Sequence, residues 1–125
     1  MKKKYRVCKN YEFSAIMKEK RFYSCPAFVI YVKPRAMEHA RVGISVGKKL
    51  GNAVQRNRIK RQVRMMVDEI FDFHEDFDTV LIVRPKYDSE NYLNNKKSLE
   101  RLKKKVKMIP DFRGKTQNMV LNDFI

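Results

Sequence analysis

The chain has 125 residues, and its 29 Lys and Arg against 14 Asp and Glu leave a formal net charge of +15. A hydrophobic fraction of 43% is ordinary for a globular protein and excludes a disordered basic tail. So large an excess of one sign repels itself in the folded state, and an anionic polymer is the commonest partner that relieves this repulsion. The length predicts one domain over residues 1–109, and we expect residues 110–125 to form a poorly ordered C-terminal tail.

Cysteine content and hydropathy exclude several classes of protein. Cys8 and Cys25 have no partner spacing to each other or to His39 and His74, so we expect reduced thiols and no metal site on the protein. The basic N-terminus is followed by polar residues, unlike a signal peptide, and no apolar run approaches the length of a membrane span. These features predict a cytoplasmic protein that does not contact a membrane.

The first half of the chain predicts a short helix, a short edge strand and two longer strands: Asn10–Lys18, Arg21–Ser24, Ala27–Lys33 and Arg41–Val46. Asn10 is a suitable N-cap for the helix. The Ala27–Lys33 strand is apolar and aromatic and is stopped by Pro34, and the strand after it is expected to be antiparallel to it.

The second half predicts a long helix from about Ala53 to Phe73, a strand over Thr79–Arg84 and a last helix from Tyr92 to about Met108. Asn52 is the expected N-cap of the long helix. The order of elements predicts an α+β fold in which helices pack on a mixed sheet.

The long helix carries two stripes at helical spacing. Its apolar stripe must pack on the sheet and consists of Ile59, Val63, Met66, Val67 and Ile70. A second stripe, about 130° around the helix, is polar and cationic. We call it the basic stripe, and its members are Asn57, Lys60, Arg61 and Arg64.

The N-terminus of the same helix is surrounded by cations, which are Lys48, Lys49, Arg56 and Arg58. This is unfavourable, because the helix dipole favours acids at that end. A bound phosphate would resolve the conflict, since free amide N–H groups and Arg side chains attract the same anion. Gly47 and Gly51 would let the backbone approach that anion closely.

The segment Gly43–Arg64 resembles the signature of the bacterial ribonuclease P protein subunit, in its Arg56-Asn57-Arg58 core, then Lys60-Arg61, then Arg64. The similarity extends from about Lys9 to Met108. It implies an αβββαβα two-layer sandwich, like domain 2 of ribosomal protein S5, with a left-handed βαβ crossover. The resemblance also implies a role beside a catalytic RNA that removes the 5′ leader from precursor tRNA and holds the Mg²⁺ ions.

The resemblance implies two sets of site residues and no catalytic residue on this chain. The motif that contacts the RNA subunit matches Lys48, Lys49, Asn52, Arg56, Asn57, Arg58, Lys60, Arg61 and Arg64. A cleft between the first helix, the sheet and the Arg-rich helix holds the single-stranded leader and matches Phe13, Met17, Val29, Tyr31 and Lys33. Met17 stands where an aromatic residue is common, which weakens one stacking contact. Tyr31 and Lys33 share a strand face suited to an unpaired RNA strand.

Other functions explain fewer of these features. A protein nuclease would need an acid–base pair or carboxylates that hold metal ions, and nothing in the sequence brings His39 and His74 together. An acidic stretch follows the basic stripe, but its simpler explanation is charge balance. A ribosomal or other structural RNA-binding protein would share the composition but not the long motif. A DNA-binding helix-turn-helix would need a further helix before the Arg-rich one.

Overall fold

The computed structural model describes residues 1–107. Its helices and strands follow the predicted order αβββαβα, and their bounds are α1 Asn10–Lys18, β1 Phe22–Ser24, β2 Phe28–Pro34, β3 Val42–Val46, α2 Ala53–Ile70, β4 Phe77–Val83 and α3 Tyr92–Lys107. The predicted α+β fold class is confirmed. The proposed tail over residues 110–125, and the domain boundary before it, lie outside the described residues.

The four strands form one mixed sheet in the order β1-β2-β4-β3. β4 lies between β2 and β3, antiparallel to β2 and parallel to β3. β2 and β3 therefore run in opposite directions, as expected, without pairing with each other. The parallel pair β3 and β4 is joined through α2, which gives the implied βαβ crossover; its left hand stays a prediction.

The two faces of the sheet are covered differently. Phe28, Ile30 and Val32 of β2 point into the main core, where the buried side chains of α2 and α3 cover them. The alternate residues of β2 and β4 face the other way, and Ile16 of α1 packs there with Val80. We call this second side the α1 face. It is only partly covered, because Val29, Tyr31, Lys33 and Ile82 keep part of their surface exposed. We call this partly exposed strip of sheet beside α1 the groove.

Three local expectations differ from the structure. Asn10 is the first residue of α1 rather than its cap, and the capping residue Lys9 makes no side-chain hydrogen bond to the helix. α2 ends at Ile70, because the buried Phe71 adopts an extended backbone and turns into the core. β4 begins at Phe77, two residues before the expected start, because the sheet pairs this end of the strand with Pro34.

Candidate nucleic-acid interface

The turn into α2 is held by a complete capping box. The Asn52 side chain accepts from the Gln55 backbone N–H at 2.9 Å, and the Gln55 side chain accepts from the Asn52 N–H at 2.8 Å. Gly51, with φ +128°, makes this possible, because a Cβ there would lie 2.1 Å from Gln55 Oε1. The predicted cap is confirmed, and the Asn52 oxygen serves the helix while its amide nitrogen remains available to a ligand.

Gly47 and Arg56 shape the rest of this turn. A Cβ on Gly47 would meet nothing within 4 Å, so packing does not require glycine there and space is open beside the backbone. Arg56 donates from Nη1 to the Gly51 carbonyl at 2.8 Å, which ties its guanidinium to the turn. Arg56 thus braces the turn that carries the exposed Lys48 and Lys49, and it keeps further N–H groups for a ligand.

The basic stripe lies on the side of α2 away from the core. Asn57 and Arg61 are exposed, and Lys60 and Arg64 are partly buried. Within residues 1–107, no carboxylate forms an ion pair with Lys60, Arg61 or Arg64. Three neighbouring cations without an anion are a strong local field for a phosphate chain.

Arg58 does not belong to this stripe. It points toward the segment before α3, where its Nη1 lies 3.4 Å from Glu90 Oε2. The sequence places only cations around the start of α2, but Arg58 finds a carboxylate partner there through the fold. Both side chains are at least half exposed, so the pair is weak, and a phosphate could replace Glu90.

The acids that follow the basic stripe are used in the fold rather than gathered into a cation site. Asp68 pairs with the N-terminal ammonium at 2.8 Å, and Glu69 pairs with Lys96 at 2.7 Å. Glu75 pairs with the buried Lys103, and Asp78 accepts from the Arg41 backbone N–H at 2.9 Å. No group of three or more His, Cys, Asp or Glu within residues 1–107 is placed to hold a metal ion.

The predicted cleft residues lie together on the α1 face. Val29, Tyr31 and Lys33 alternate along β2, and α1 packs across β2 and β4 beside them. Tyr31 packs against the small cluster of Val7, Ile16 and Val80, and it is only partly buried. These residues form a floor that is apolar at its centre and ends at Lys33, which lies opposite Asp78 in the sheet.

Phe13 and Glu12 fix the position of α1 over this floor. Phe13 lies directly above Gly43 of β3, where a Cβ would come within 2.7 Å of the Phe13 ring. Glu12 accepts from Arg41 at 2.9 Å, and that hydrogen bond lowers the pKa of the Glu12 carboxyl. Phe13 is therefore mainly a packing residue at the wall of the groove. Met17, at the other end of α1, is more exposed and lies free of the core.

The two surfaces lie on opposite sides of the sheet, which corrects the implied arrangement of the cleft. The apolar stripe of α2 packs on the main-core face, so the body of α2 does not line the groove on the α1 face. The link between the two surfaces is β3. Gly43 and Ser45 pair with Val80 and Ile82 on the α1 face, and the strand then leads through Gly47 into α2.

Sequence reasoning missed part of the floor. Ser45 and Ile82 belong to it because β4 inserts between β2 and β3, and strand order is not visible in local patterns. Phe22 of β1 also lies there, directly opposite Tyr31 in the sheet. The sequence places Phe22 in a short edge strand just before the aromatic strand β2. That placement indicates a contact with Tyr31 only once the strand register is known.

Comparison with known proteins identifies the family. The family model described as Ribonuclease P matches residues 1–107. The chain belongs to the ribonuclease P family. The ribonuclease P protein component of Mesoplasma florum is 43% identical over 104 residues, which cover 82% of this chain and 94% of that protein. The Streptococcus mutans component is 41% identical over 108 residues, covering 86% and 91%.

Solved structures agree with this assignment. The ribonuclease P protein of Staphylococcus aureus superposes with a TM-score of 0.75 at 36% identity, covering 85% of this chain and 98% of that one. The Thermotoga maritima protein gives a TM-score of 0.66 at 30% identity, covering 79% and 96%. The function of the ribonuclease P family is maturation of tRNA 5′ ends, with the RNA subunit as catalyst. Membership implies partnership with ribonuclease P RNA and a tRNA substrate.

Hydropathy of the helices adds one finding about membranes. Among the helices of residues 1–107, none has the length and apolar character needed to cross a bilayer.

Proposed function

We propose that this chain is the cytoplasmic protein subunit of a ribonuclease P ribonucleoprotein, in which it binds the catalytic RNA and the 5′ leader of precursor tRNA. The observation that carries the proposal is the basic stripe, whose three cations have no carboxylate partner within residues 1–107. Packing of α2 in the fold does not require these cations, because the opposite, apolar side of the helix already contacts the core.

The turn into α2 and the basic stripe are the proposed contact with the RNA subunit. Backbone N–H groups at the start of α2, the helix dipole and the Lys48–Lys49 ammonium groups all attract a phosphate at the same place. The basic stripe continues this field along about two turns of the helix. A rigid capping box holds the turn in one geometry before RNA arrives, so little ordering cost accompanies binding.

The groove on the α1 face is the proposed site for the single-stranded leader. Tyr31 offers a partly exposed ring on which a base can stack, and Lys33 follows on the same strand face to attract phosphate. The leader exists only in the precursor, so this groove would favour precursor over mature tRNA and assist product release.

Mg²⁺ enters the proposal through the RNA. Asp68, Glu69 and Glu75 are committed to ion pairs, and the acids of residues 1–107 form no group suited to a metal ion, so we propose that the RNA subunit holds the catalytic Mg²⁺. The protein contributes positive charge where RNA strands crowd, which lowers the Mg²⁺ concentration that the ribonucleoprotein needs. Its own side chains bind and orient RNA and perform no bond cleavage.

Removing two stripe charges tests the contact with the RNA subunit. In the double variant Arg61→Ala, Arg64→Ala, affinity for ribonuclease P RNA should fall, and the slope of log K against log salt should decrease by about 2, because two phosphate contacts are lost. The matched control is Lys97→Ala, Arg101→Ala, which removes the same charge from exposed positions of α3. Equal effects of the two double variants would show that only net charge matters, and the proposed contact would be wrong.

Truncating Tyr31 tests the leader groove. Tyr31→Ala should lower affinity of the reconstituted enzyme for precursor tRNA by about fivefold or more, with a much smaller effect on mature tRNA. Tyr31→Phe keeps the ring and serves as the control. An equal loss for both forms of tRNA would contradict a leader site at this position.

A further inference from the structure

Phe22 is an exposed aromatic side chain whose position the core does not explain. It lies on β1, the edge strand, and 55% of its surface remains exposed. By contrast, Phe28, Phe71 and Phe77 are buried in the main core. Edge strands are usually protected by charged residues, so a large exposed ring there is unfavourable unless it has a partner.

The sheet register aligns Phe22 with the leader groove. Phe22 pairs directly with Tyr31 across the β1–β2 ladder, which puts both side chains on the α1 face. Their ring centroids lie 5.5 Å apart with 35° between the ring planes. The two rings therefore form one aromatic surface that begins in the groove and ends at the open edge of the sheet.

Positive charge borders this aromatic surface. Lys33 follows Tyr31 on the same face of β2, where it lies opposite Asp78, and the exposed Lys20 precedes β1. The pairing of the two strands continues past Phe22, because Val32 N–H donates to the Arg21 carbonyl at 3.0 Å. The start of β1 and the cationic end of β2 therefore lie side by side. A flat apolar ring beside cations suits an unpaired nucleobase joined to phosphate.

We propose that Phe22 and Tyr31 together form a second base-stacking subsite, which binds a nucleobase of the leader farther from the cleavage point than the base on Tyr31 alone. This inference rests on the proposed leader groove and extends it across β1. The simpler explanation, a cross-strand pair that stabilises the sheet, accounts for the ring contact but not for the exposed half of Phe22.

The occupant is RNA rather than a protein strand because the surface is cationic. The chain carries a net charge of +15, and a second copy would bring the same charge to the edge of β1. A leader passing over the edge would instead bring phosphate beside Lys20 and Lys33.

The test measures precursor affinity of the reconstituted ribonucleoprotein as a function of leader length. Phe22→Ala should weaken binding about fivefold or more for a leader of about ten nucleotides, whereas Phe22→Tyr should stay within about twofold of the original protein. A leader of one nucleotide cannot reach β1, so the Phe22→Ala effect should vanish there. Leu93→Ala, which truncates an even more exposed apolar residue on α3, is the control for nonspecific apolar contact.

A leader with abasic nucleotides separates stacking from phosphate binding. If a base stacks on Phe22, removing the leader bases should abolish the difference between the original protein and Phe22→Ala. The inference is wrong if Phe22→Ala binds the long leader normally, or if its loss persists with the one-nucleotide or abasic leader. It is also wrong if sedimentation shows that the free protein is a dimer that Phe22→Ala dissociates, because the ring is then a self-association contact.

These outcomes are distinguishable from a failure of the proposed function itself. If the leader groove does not exist, the original protein shows no dependence of affinity on leader length. If only the second subsite is wrong, the affinity of the original protein still depends on leader length, and Phe22→Ala shows the same dependence.

Discussion

Gly51 is the residue on which the geometry of the proposed RNA-binding turn depends most. Its backbone has φ +128°, a region that side chains with a Cβ rarely adopt, and Gln55 occupies the space where a Cβ would go. The capping box needs that Gln55 position, so one glycine sets both the path of the turn and the start of α2.

Substitution of this glycine should therefore be costly. Gly51→Ala should lower the free energy of unfolding by about 1–3 kcal/mol, because it strains the backbone and displaces the Gln55 cap. Urea unfolding checks this value. Gly47→Ala is the matched control and should leave stability unchanged or slightly higher, since its backbone is ordinary and the space beside it is open. Similar losses for both variants would contradict the role given to Gly51.

For single residues, the sequence predicts some roles correctly and misses others. The Asn52 cap follows from residue type and position alone, and the structure confirms it. The partner of Arg58 could not be foreseen, because Glu90 lies 32 positions away and reaches it only through the packing of the segment before α3. The Asn10 cap was wrong because α1 begins one residue earlier than the residue preferences indicate, and Lys9 takes the capping position without a side-chain hydrogen bond.

Among the elements, α1 packs across β2 and β4, and one ion pair fastens it beside the start of β3. Arg41 donates to Glu12, and Phe13 packs on Gly43 next to it. The groove on the α1 face exists because α1 covers part of the sheet and stops there. The position of α1 therefore determines the width of the groove.

The Glu12–Arg41 pair should make this attachment sensitive to acid. Arg41 holds the pKa of the Glu12 carboxyl below its ordinary value of 4.5, so the pair stabilises the folded chain above that pH and loses its effect as pH falls through the lowered pKa. Glu12→Gln should lower the free energy of unfolding by up to about 1 kcal/mol at pH 7 and by clearly less at pH 3.

Urea unfolding at the two pH values gives the measurement, with Glu90→Gln as the control because Glu90 belongs to a far more exposed pair. Asp78 works in the opposite direction, since burial raises the pKa of its carboxyl and its charged form disfavours folding as pH rises. Comparison of each variant with the original protein at the same pH removes that contribution. A Glu12→Gln effect that is as large at pH 3 as at pH 7 would disprove the assigned ion pair.

The elements themselves could be predicted to within a few residues, because the long helix has a clear apolar stripe and prolines lie near the ends of several elements. Their arrangement could not be predicted from the residues alone. The insertion of β4 between β2 and β3 depends on long-range pairing, and it decides that Ile82 and Ser45 join the floor of the groove. The family resemblance supplied the order of elements, and the structure places α2 on the sheet face opposite the groove.

In the whole molecule, charges that are paired within the fold lie apart from cations that are left for a ligand. The acids after the basic stripe pair with the N-terminus and α3 and accept a backbone hydrogen bond before β3, whereas the basic stripe keeps its cations unpaired within residues 1–107. The net charge is +15, and its unpaired cations are concentrated on the basic stripe, so the electrostatic field attracts anions mainly to that surface. That field is what a subunit needs when its partners are two RNAs and its own residues perform no chemistry.

The most direct test of this account is cleavage of precursor tRNA at a Mg²⁺ concentration too low for ribonuclease P RNA to act alone. Cleavage at the 5′ end of the mature tRNA is expected only when the protein and the RNA are both present. Cleavage by the protein without RNA, or no stimulation of the RNA by the protein, would contradict it.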